Sequence, residues 1–422
     1  VPPEHKQEIH NKLKALEDEL NRYLANEYGV DTSKKDACEQ WLKSHQPFHW
    51  FVEFYGIVHD KGGFDVIIGN PPYVEYSEVR RAYTVHYLET ELCNNLYAFV
   101  MERSVKVLKE KGRCGMIVPI SAFCTDRMEK FQLLQLCNSS NFWLSNYAER
   151  PSKLFEGVER NLSITLFDKK HSNARIFTTA YLKWYAENRV YLFPTINYTI
   201  ATNTKVFGII PKIGTQAEVN VLEKMKKVHN KIDNYTVNRV TKYILYYRNS
   251  GGRYWKIITD FQPDFFLNGR KSISSRESYL YFDTTEALLV SVASLNSNLY
   301  FWYYVMHSDA RTNNPSDLKM FPLDIQSLSS THMNELFALC KKLMTDYKAK
   351  SIMQDGKYRT GLVKFQQFFP IKSKPILDEI DCVLARHYGF TEEELDFIVN
   401  YDIKYRMGRE NEEEYERTSN EL

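Results

Sequence analysis

A chain of 422 residues is long enough to bury more than one core, and the usual domain size argues for two or three units. Its 55 lysines and arginines against 53 aspartates and glutamates leave a formal charge of +2, which excludes a globally basic polyanion binder and confines any nucleic-acid surface to a local patch. The seven cysteines (Cys38, Cys93, Cys114, Cys124, Cys137, Cys340, Cys382) are scattered, odd in number and never spaced Cys-x-x-Cys, and the eleven histidines show no His-Glu-x-x-His pattern. A reducing compartment and no structural metal are therefore expected. No apolar run approaches a membrane span, and the first thirty residues are charged and amphipathic rather than a signal peptide, so a cytoplasmic protein with no membrane partner is expected. A monomer is expected as well. The chain opens on Val1-Pro2-Pro3 without a methionine, which leads us to expect a piece of a longer parent.

From residue 4 to about 27, Ile9, Leu13, Leu16, Leu20 and Leu24 recur at three- and four-residue spacing, predicting an amphipathic packing helix. A helix and connector fill the region before Phe48. Residues 62–69, Gly-Gly-Phe-Asp-Val-Ile-Ile-Gly, form a short apolar run between glycines and read as a strand buried on both faces, as in parallel sheets. Residues 94–110 set Leu96, Phe99, Val100, Val105 and Leu108 on a helical period, with Lys111-Gly112 as the predicted stop. Residues 115–119 follow as a second buried strand, completing a strand-helix-strand crossover. Residues 142–149 and 162–167 predict two more strands; the loop between them carries Lys153, Phe155, Gly157 and Arg160 but no helix, so an antiparallel pairing is expected.

After about Lys170 the texture changes to aromatic and β-branched segments broken by polar turns such as Arg248-Asn249-Ser250-Gly251-Gly252-Arg253, the mark of a separate mixed domain. Asp283-Thr284-Thr285-Glu286 has capping-box spacing before apolar residues 287–295, predicting the start of a buried helix. From Pro375 onward the chain reads as helical, with Thr391-Glu392-Glu393-Glu394 as another capping box. Its glutamate- and asparagine-rich end is expected to fray.

Asn70-Pro71-Pro72-Tyr73 stands directly after the first predicted strand, at the carboxyl edge where open parallel sheets bind ligands. Two prolines fix φ and push the residues before them out of helical conformations, so the Asn70 amide and the Pro71 carbonyl become two acceptors in a rigid turn. The amino group of a base is a poor nucleophile, because its lone pair is delocalised into the ring. Accepting both of its hydrogens on Asn70 and Pro71 would localise that pair toward a sulfonium methyl, and Tyr73 offers a ring face to a base flipped from its duplex. The plainer alternative is a Pro-Pro turn that only ends a strand.

Phe48-His49-Trp50-Phe51 with Glu53-Phe54, followed by residues 62–74, resembles the central block of amino-directed adenine DNA methyltransferases fused into type II restriction enzymes. Residues 99–108 and 112–119, Phe155-Glu156-Gly157-Val158 and residues 161–166 resemble later motifs of that family in the same order. Residues 294–297 and 300–304 with Asp317, Phe321 and Pro322 resemble the close of a target-recognition domain, and residues 387–390, 395–396 and 400–406 its terminal block. The resemblance implies S-adenosylmethionine as cofactor, double-stranded DNA with a flipped adenine as partner, Asn70, Pro71, Pro72 and Tyr73 as catalytic residues, and Phe155 as a second aromatic against the base.

The fold class implied is α/β. A helical segment over 1–60 leads into the C-terminal half of a Rossmann-like methyltransferase domain over 61–175, with its antiparallel strand pair. A mixed α/β target-recognition domain over 176–345 and a helical segment over 346–422 follow. No Gly-x-Gly turn and no ribose-binding acid precede Asn70, so the chain alone is expected to bind the cofactor weakly and to be inactive. Candidates for reading DNA are Arg248, Asn249 and Arg253, then Arg270, Lys271 and Arg276, then Arg311, Asn313 and Asn314, while Lys226 and Lys227 read as solvated. Two other readings are a methyltransferase for RNA or for a protein amide nitrogen, and a DNA-binding specificity module without catalysis.

Overall fold

The computed structural model describes residues 3–82, 84–85, 87–201, 209–251, 253–358 and 361–407. Its first sheet is built from β1 (Phe64–Gly69), β2 (Leu108–Pro119), β3 (Ser139–Tyr147), β4 (Leu162–Lys169), β5 (Arg175–Leu182) and β6 (Thr199–Ile200), in the order β1-β2-β4-β3-β5-β6. β1 and β2 run parallel, with Ile67 opposite Cys114, Ile68 opposite Gly115 and Gly69 opposite Met116, whereas β5 and β6 run antiparallel. The sheet is thus mixed, as expected of an α/β fold. The chain divides into two compact units: Val1–Ala122, Arg127–Leu144 and Ser163–Ile176 form the first, and Phe123–Asp126, Ser145–Leu162 and Phe177–Leu422 the second.

In the first unit the predicted amphipathic helix spans Pro3–Glu27, with Ile9, Leu13 and Leu16 exposed rather than packed. Phe48, Trp50, Phe54 and Phe64 then gather their rings at centroid distances of 5.2–6.2 Å, which ties the aromatic segment to the start of β1. β1 departs from expectation. It is not buried on both faces: it is the edge strand, and Val66 and Ile68 are 61% and 82% exposed. Burial of the other face is as expected, with Cys114, Met116 and Val118 of β2 in the core beside Tyr97, Met101 and Val105.

The crossover helix, Leu96–Val107, ends before the predicted Lys111-Gly112 stop, and β2 begins at Leu108. A lysine from another strand takes the place of the glycine cap: Lys169 Nζ donates to the main-chain oxygens of Val105 and Leu108, satisfying carbonyls that a helix end leaves open. Gly63 makes the junction possible. It holds φ +126°, and a Cβ there would lie 2.5 Å from the Val107 oxygen and 2.7 Å from the Lys109 nitrogen. The predicted antiparallel strand pair is present: Ser140 and Asn141 bond Asp168, while Phe142 packs on Phe167 at 6.4 Å. The helix Glu129–Cys137 ahead of β3 was not anticipated.

The second unit adds two antiparallel sheets among the described residues. β7 (Thr236–Val237), β8 (Tyr243–Arg248), β9 (Ile258–Thr259) and β12 (Glu277–Phe282) lie in the order β7-β12-β8-β9. β10 (Phe265–Leu267), β11 (Arg270–Lys271), β13 (Ile352–Tyr358) and β14 (Gly361–Gln367) lie in the order β11-β10-β14-β13. The β13–β14 pair falls within the segment expected to be helical. Its alternating burial, one face toward solvent, gives the period of two that strands require.

Helices Thr285–Asn296, Asn298–His307, Ser330–Lys350, Lys374–Tyr388 and Glu392–Val399 hold the core of this unit. The second of these, Asn-Leu-Tyr-Phe-Trp-Tyr-Tyr-Val-Met-His, is buried on every side. Its start is held by Asp381, which accepts from Asn298 N, Leu299 N and the Asn298 amide. Thr391 forms the predicted capping box with Glu394. The predicted box at Asp283 is corrected by one residue: Thr284 is the N-cap and accepts from Ala287 N, while Asp283 pairs with Arg239. The end expected to fray, residues 408–422, lies outside the described residues.

Candidate functional site

Asn70 follows Gly69 at the carboxyl end of β1, and its side chain is exposed. Pro71 is buried beneath it, Pro72 is exposed and Tyr73 is half-buried. The Tyr73 hydroxyl donates to Asn70 Oδ1 at 2.6 Å and lies 3.2 Å from the main-chain oxygen of Ile117, so the turn is tied to the end of β2. Burial pushes the phenol up to about 12, which keeps the proton on the donor at neutral pH. The Tyr73 ring meets Tyr97 edge-on at 6.5 Å, and Tyr97 in turn packs against Phe131 at 5.6 Å and reaches Met128 Sδ with its hydroxyl.

The chain leaving the turn is also fixed. Leu96 N donates to the Val74 oxygen, Ser77 N donates to Asn94 Oδ1, and Asn94 holds the left-handed φ of +52° that this double contact needs. Arg127 closes on Glu75 at 3.0 Å. Sequence patterns flagged the four residues of the turn but not this surround, because its contacts join segments 17 to 52 residues apart. Chemically, the turn presents an immobilised amide at a sheet edge, with no acid, base or nucleophile of its own.

Phe155 lies in the second unit, half-buried on the loop between β3 and β4. Arg189 braces that loop by donating to the main-chain oxygens of Lys153 and Leu154, and Lys153 pairs with Glu159 at 3.0 Å.

Two of the three predicted DNA-reading clusters are brought together in the second unit. Arg248 ends β8, exposed and opposite Glu277, and Asn249 N donates to the Arg276 oxygen at 2.9 Å. Asn313 N donates to the Asn249 oxygen and Asn313 Nδ2 to the Arg248 oxygen, while Tyr300 donates to Asn313 Oδ1. Asn313 is therefore a scaffold residue, 1% exposed, rather than a surface one. Arg270 and Lys271 stand exposed on β11 in the other sheet, with Lys271 paired to Asp264 at 3.0 Å. Arg253 and Arg311 both turn toward Glu149, a residue that sequence patterns did not single out. Among the described residues no three metal-ligating side chains gather, and no helix is long and apolar enough to cross a membrane.

Residues 5–151 match the family described as Eco57I restriction-modification methylase. A Methanocaldococcus jannaschii protein named as a type II restriction enzyme and methyltransferase is 28% identical over 182 residues, which cover 38% of this chain and 15% of that protein. Among solved structures, the type IIL restriction-modification enzyme MmeI in complex with DNA is similar over 84% of this chain and 58% of its own, at 10% identity and a TM-score of 0.39. The type IIG restriction endonuclease BpuSI is similar over 82% of this chain and 54% of its own, at 8% identity and a TM-score of 0.28. The chain spans less than two thirds of each of these proteins. Residues 5–151, Asn70 to Tyr73 included, are similar to restriction-modification methylases.

Proposed function

We propose that this chain carries the base-activating turn and the target-reading part of a DNA methyltransferase, one that moves a methyl group from S-adenosylmethionine to the amino nitrogen of adenine. The observation that supports this most is the turn itself: an exposed Asn70 amide, one residue past a parallel strand, whose oxygen is held by Tyr73 at 2.6 Å. Asn70 Oδ1 has a second lone pair. With the Pro71 carbonyl it accepts the two hydrogens of the target amino group, so that the nitrogen's electron pair is freed from the ring as the new bond forms. The benefit is electrostatic, because the acceptors need no reorganisation at the moment of reaction.

S-adenosylmethionine supplies an electrophilic methyl when bound. Among the described residues no Gly-x-Gly turn follows a parallel strand, and the glycines flanking β1 are filled: Gly63 by the main chain of Val107 and Lys109, Gly69 by Met116. The residues present do not form a cradle for the cofactor. The DNA partner presents one flipped adenine, for which Tyr73 and Phe155 are proposed as stacking rings. Arg248, Arg270, Arg276 and Arg311, all exposed, are proposed to contact phosphate or base edges, and a monomer suffices for this chemistry.

The test is methyl transfer to duplex DNA from labelled cofactor, by the chain alone and joined to a glycine-rich upstream segment of a relative. The joined protein is expected to yield N6-methyladenine, and Asn70→Ala to slow transfer by about 100- to 1000-fold without weakening DNA binding. A methylated cytosine, or an Asn70→Ala variant of full activity, would overturn the reading.

A further inference from the structure

We infer that the outer face of the β8–β12 pair is a stacking surface for an unpaired stretch of DNA, with Tyr279 as its principal ring and Arg248 and Arg276 as its contacts to phosphate. The register of the pair sorts its side chains onto two faces. Leu245, Tyr247, Leu280 and Phe282 lie on the inner face, buried where the helix Thr285–Asn296 packs on the strands. Ile244, Tyr246 and Arg248 of β8 share the opposite face with Tyr281, Tyr279 and Glu277 of β12, each directly across from its partner. Tyr279 is 53% exposed, and its ring lies 5.2 Å from that of Tyr281.

The face is open on one side. Toward β9 it is closed over, because Thr259, opposite Tyr246, is 1% exposed. Toward β7 it stays accessible, with Val237 half-buried across from Tyr281. Positive charge gathers at one end of the strands. Arg248 stands two positions along from the Tyr246–Tyr279 pair, roughly 7 Å at the rise of a strand, and Arg276 directly precedes Glu277. Both arginines are exposed. Both also act on Tyr358, whose phenol they pull down against the stronger upward push of burial, so their guanidinium groups share one neighbourhood. Glu277, the acid on this face, is engaged by Gln262 Nε2 at 2.7 Å, and burial raises its carboxyl.

An exposed ring beside two cations suits an unstacked base and the phosphate next to it. A duplex keeps its bases stacked on one another and offers a sheet only phosphates and groove edges, whereas an unpaired strand can lay a base on Tyr279 and its backbone along the arginines. Four strands about 4.8 Å apart are also too wide for a groove that admits a two-stranded ribbon. A tyrosine pair that only packs across strands makes no demand on the bases of a ligand, and the test separates the two cases. The inference goes beyond the methyltransferase reading, which needs duplex DNA and Asn70.

The experiment follows the anisotropy of a labelled dT strand of about twelve nucleotides, and of an abasic strand of the same length, as each is titrated with the whole chain. The dT strand is expected to bind at least about fivefold tighter than the abasic strand. Tyr279→Leu, which keeps apolar bulk and removes the ring, is expected to erase that ratio, and Tyr279→Phe to preserve it. Arg248→Ala and Arg276→Ala are expected to weaken both strands alike and to flatten the dependence on salt. A thermal melt of each variant separates lost binding from lost folding. Equal binding of the two strands by the natural chain, or an unchanged ratio in a folded Tyr279→Leu variant, overturns the inference. Asn70→Ala is expected to leave the ratio untouched, so failed methylation with the ratio retained counts against the methyltransferase reading alone.

Discussion

Asn70 and Tyr73 meet side chain to side chain within one four-residue turn, the tyrosine hydroxyl donating to the amide oxygen at 2.6 Å. This gives Tyr73 a second task beyond presenting a ring, that of aiming the amide. Tyr73→Phe keeps the ring and removes the donor. One neutral hydrogen bond is worth about 1 kcal/mol, so methyl transfer by the joined protein is expected to fall about fivefold while KM for DNA stays level. Single-turnover kinetics would show this. Because the phenol is pushed up to about 12, neither protein should show a tyrosine titration between about pH 6 and 9.

β1 exposes its free edge and two apolar side chains, a combination that invites pairing with other chains. Ile68→Lys and Val66→Thr are expected to lower binding of an apolar dye and to reduce self-association in light scattering. Their effect on unfolding free energy should stay within about 0.5 kcal/mol, since the side chains replaced bury little.

Gly63→Ala is expected to be far more damaging than its size suggests. The new methyl would meet the Val107 oxygen at 2.5 Å, at a φ of +126° that alanine rarely adopts. A loss of about 3 kcal/mol in urea unfolding follows from strain and displacement together. Gly62→Ala is the matched comparison for backbone strain, because nothing lies within 4 Å of the Cβ it would carry.

Thr284→Ala removes an N-cap and should cost about 1 kcal/mol. Asp283→Ala loses only a solvent-facing pair with Arg239 and should cost less than about 0.5 kcal/mol. Denaturation of the two variants distinguishes the true cap from its neighbour.

Asp381 makes stability depend on pH in the direction opposite to most carboxylates. Burial raises it to about 6, against the pull of hydrogen bonds from Leu299, Asn298 and the Asn298 amide. Between the ordinary value of 3.8 and about 6, the folded protein holds a proton that the unfolded chain has released. Stability therefore falls as pH rises through that window, by up to about 3 kcal/mol, and levels off above it. Urea unfolding at several pH values should show this slope in the natural chain and lose it in Asp381→Asn.

How much of this was legible in the sequence follows from the range of the interactions. β1, the turn after it and the crossover to β2 are local and carry strong punctuation in glycine and proline, and they stand where the pattern puts them. The end of the crossover helix was misread because its cap comes from Lys169, more than sixty residues away, rather than from the nearby glycine. The helix Glu129–Cys137 was missed because its buried face carries Gln132 and Gln135, whose partners are the Ala122 oxygen and Thr165. An apolar strand says only that it can be covered, so the bare face of β1 could not be read from its residues. At the candidate site, Asn70 to Tyr73 were visible by type and spacing. The tyrosine-to-asparagine hydrogen bond, the clamp of Arg127 on Glu75 and the pairing of Glu149 with Arg253 belong to tertiary structure alone.

The course of the two loops that carry Arg248 and Arg311 is drawn by main-chain hydrogen bonds, a Ser250–Thr312 bridge and one interior asparagine. None of those bonds uses the guanidinium of either arginine. Exchange at either position consequently leaves these main-chain bonds standing, although at 311 it also gives up the guanidinium's own bond to the Glu159 oxygen, and a chain built this way can drift toward new ligand preferences by single codon changes while the course of both loops stays the same.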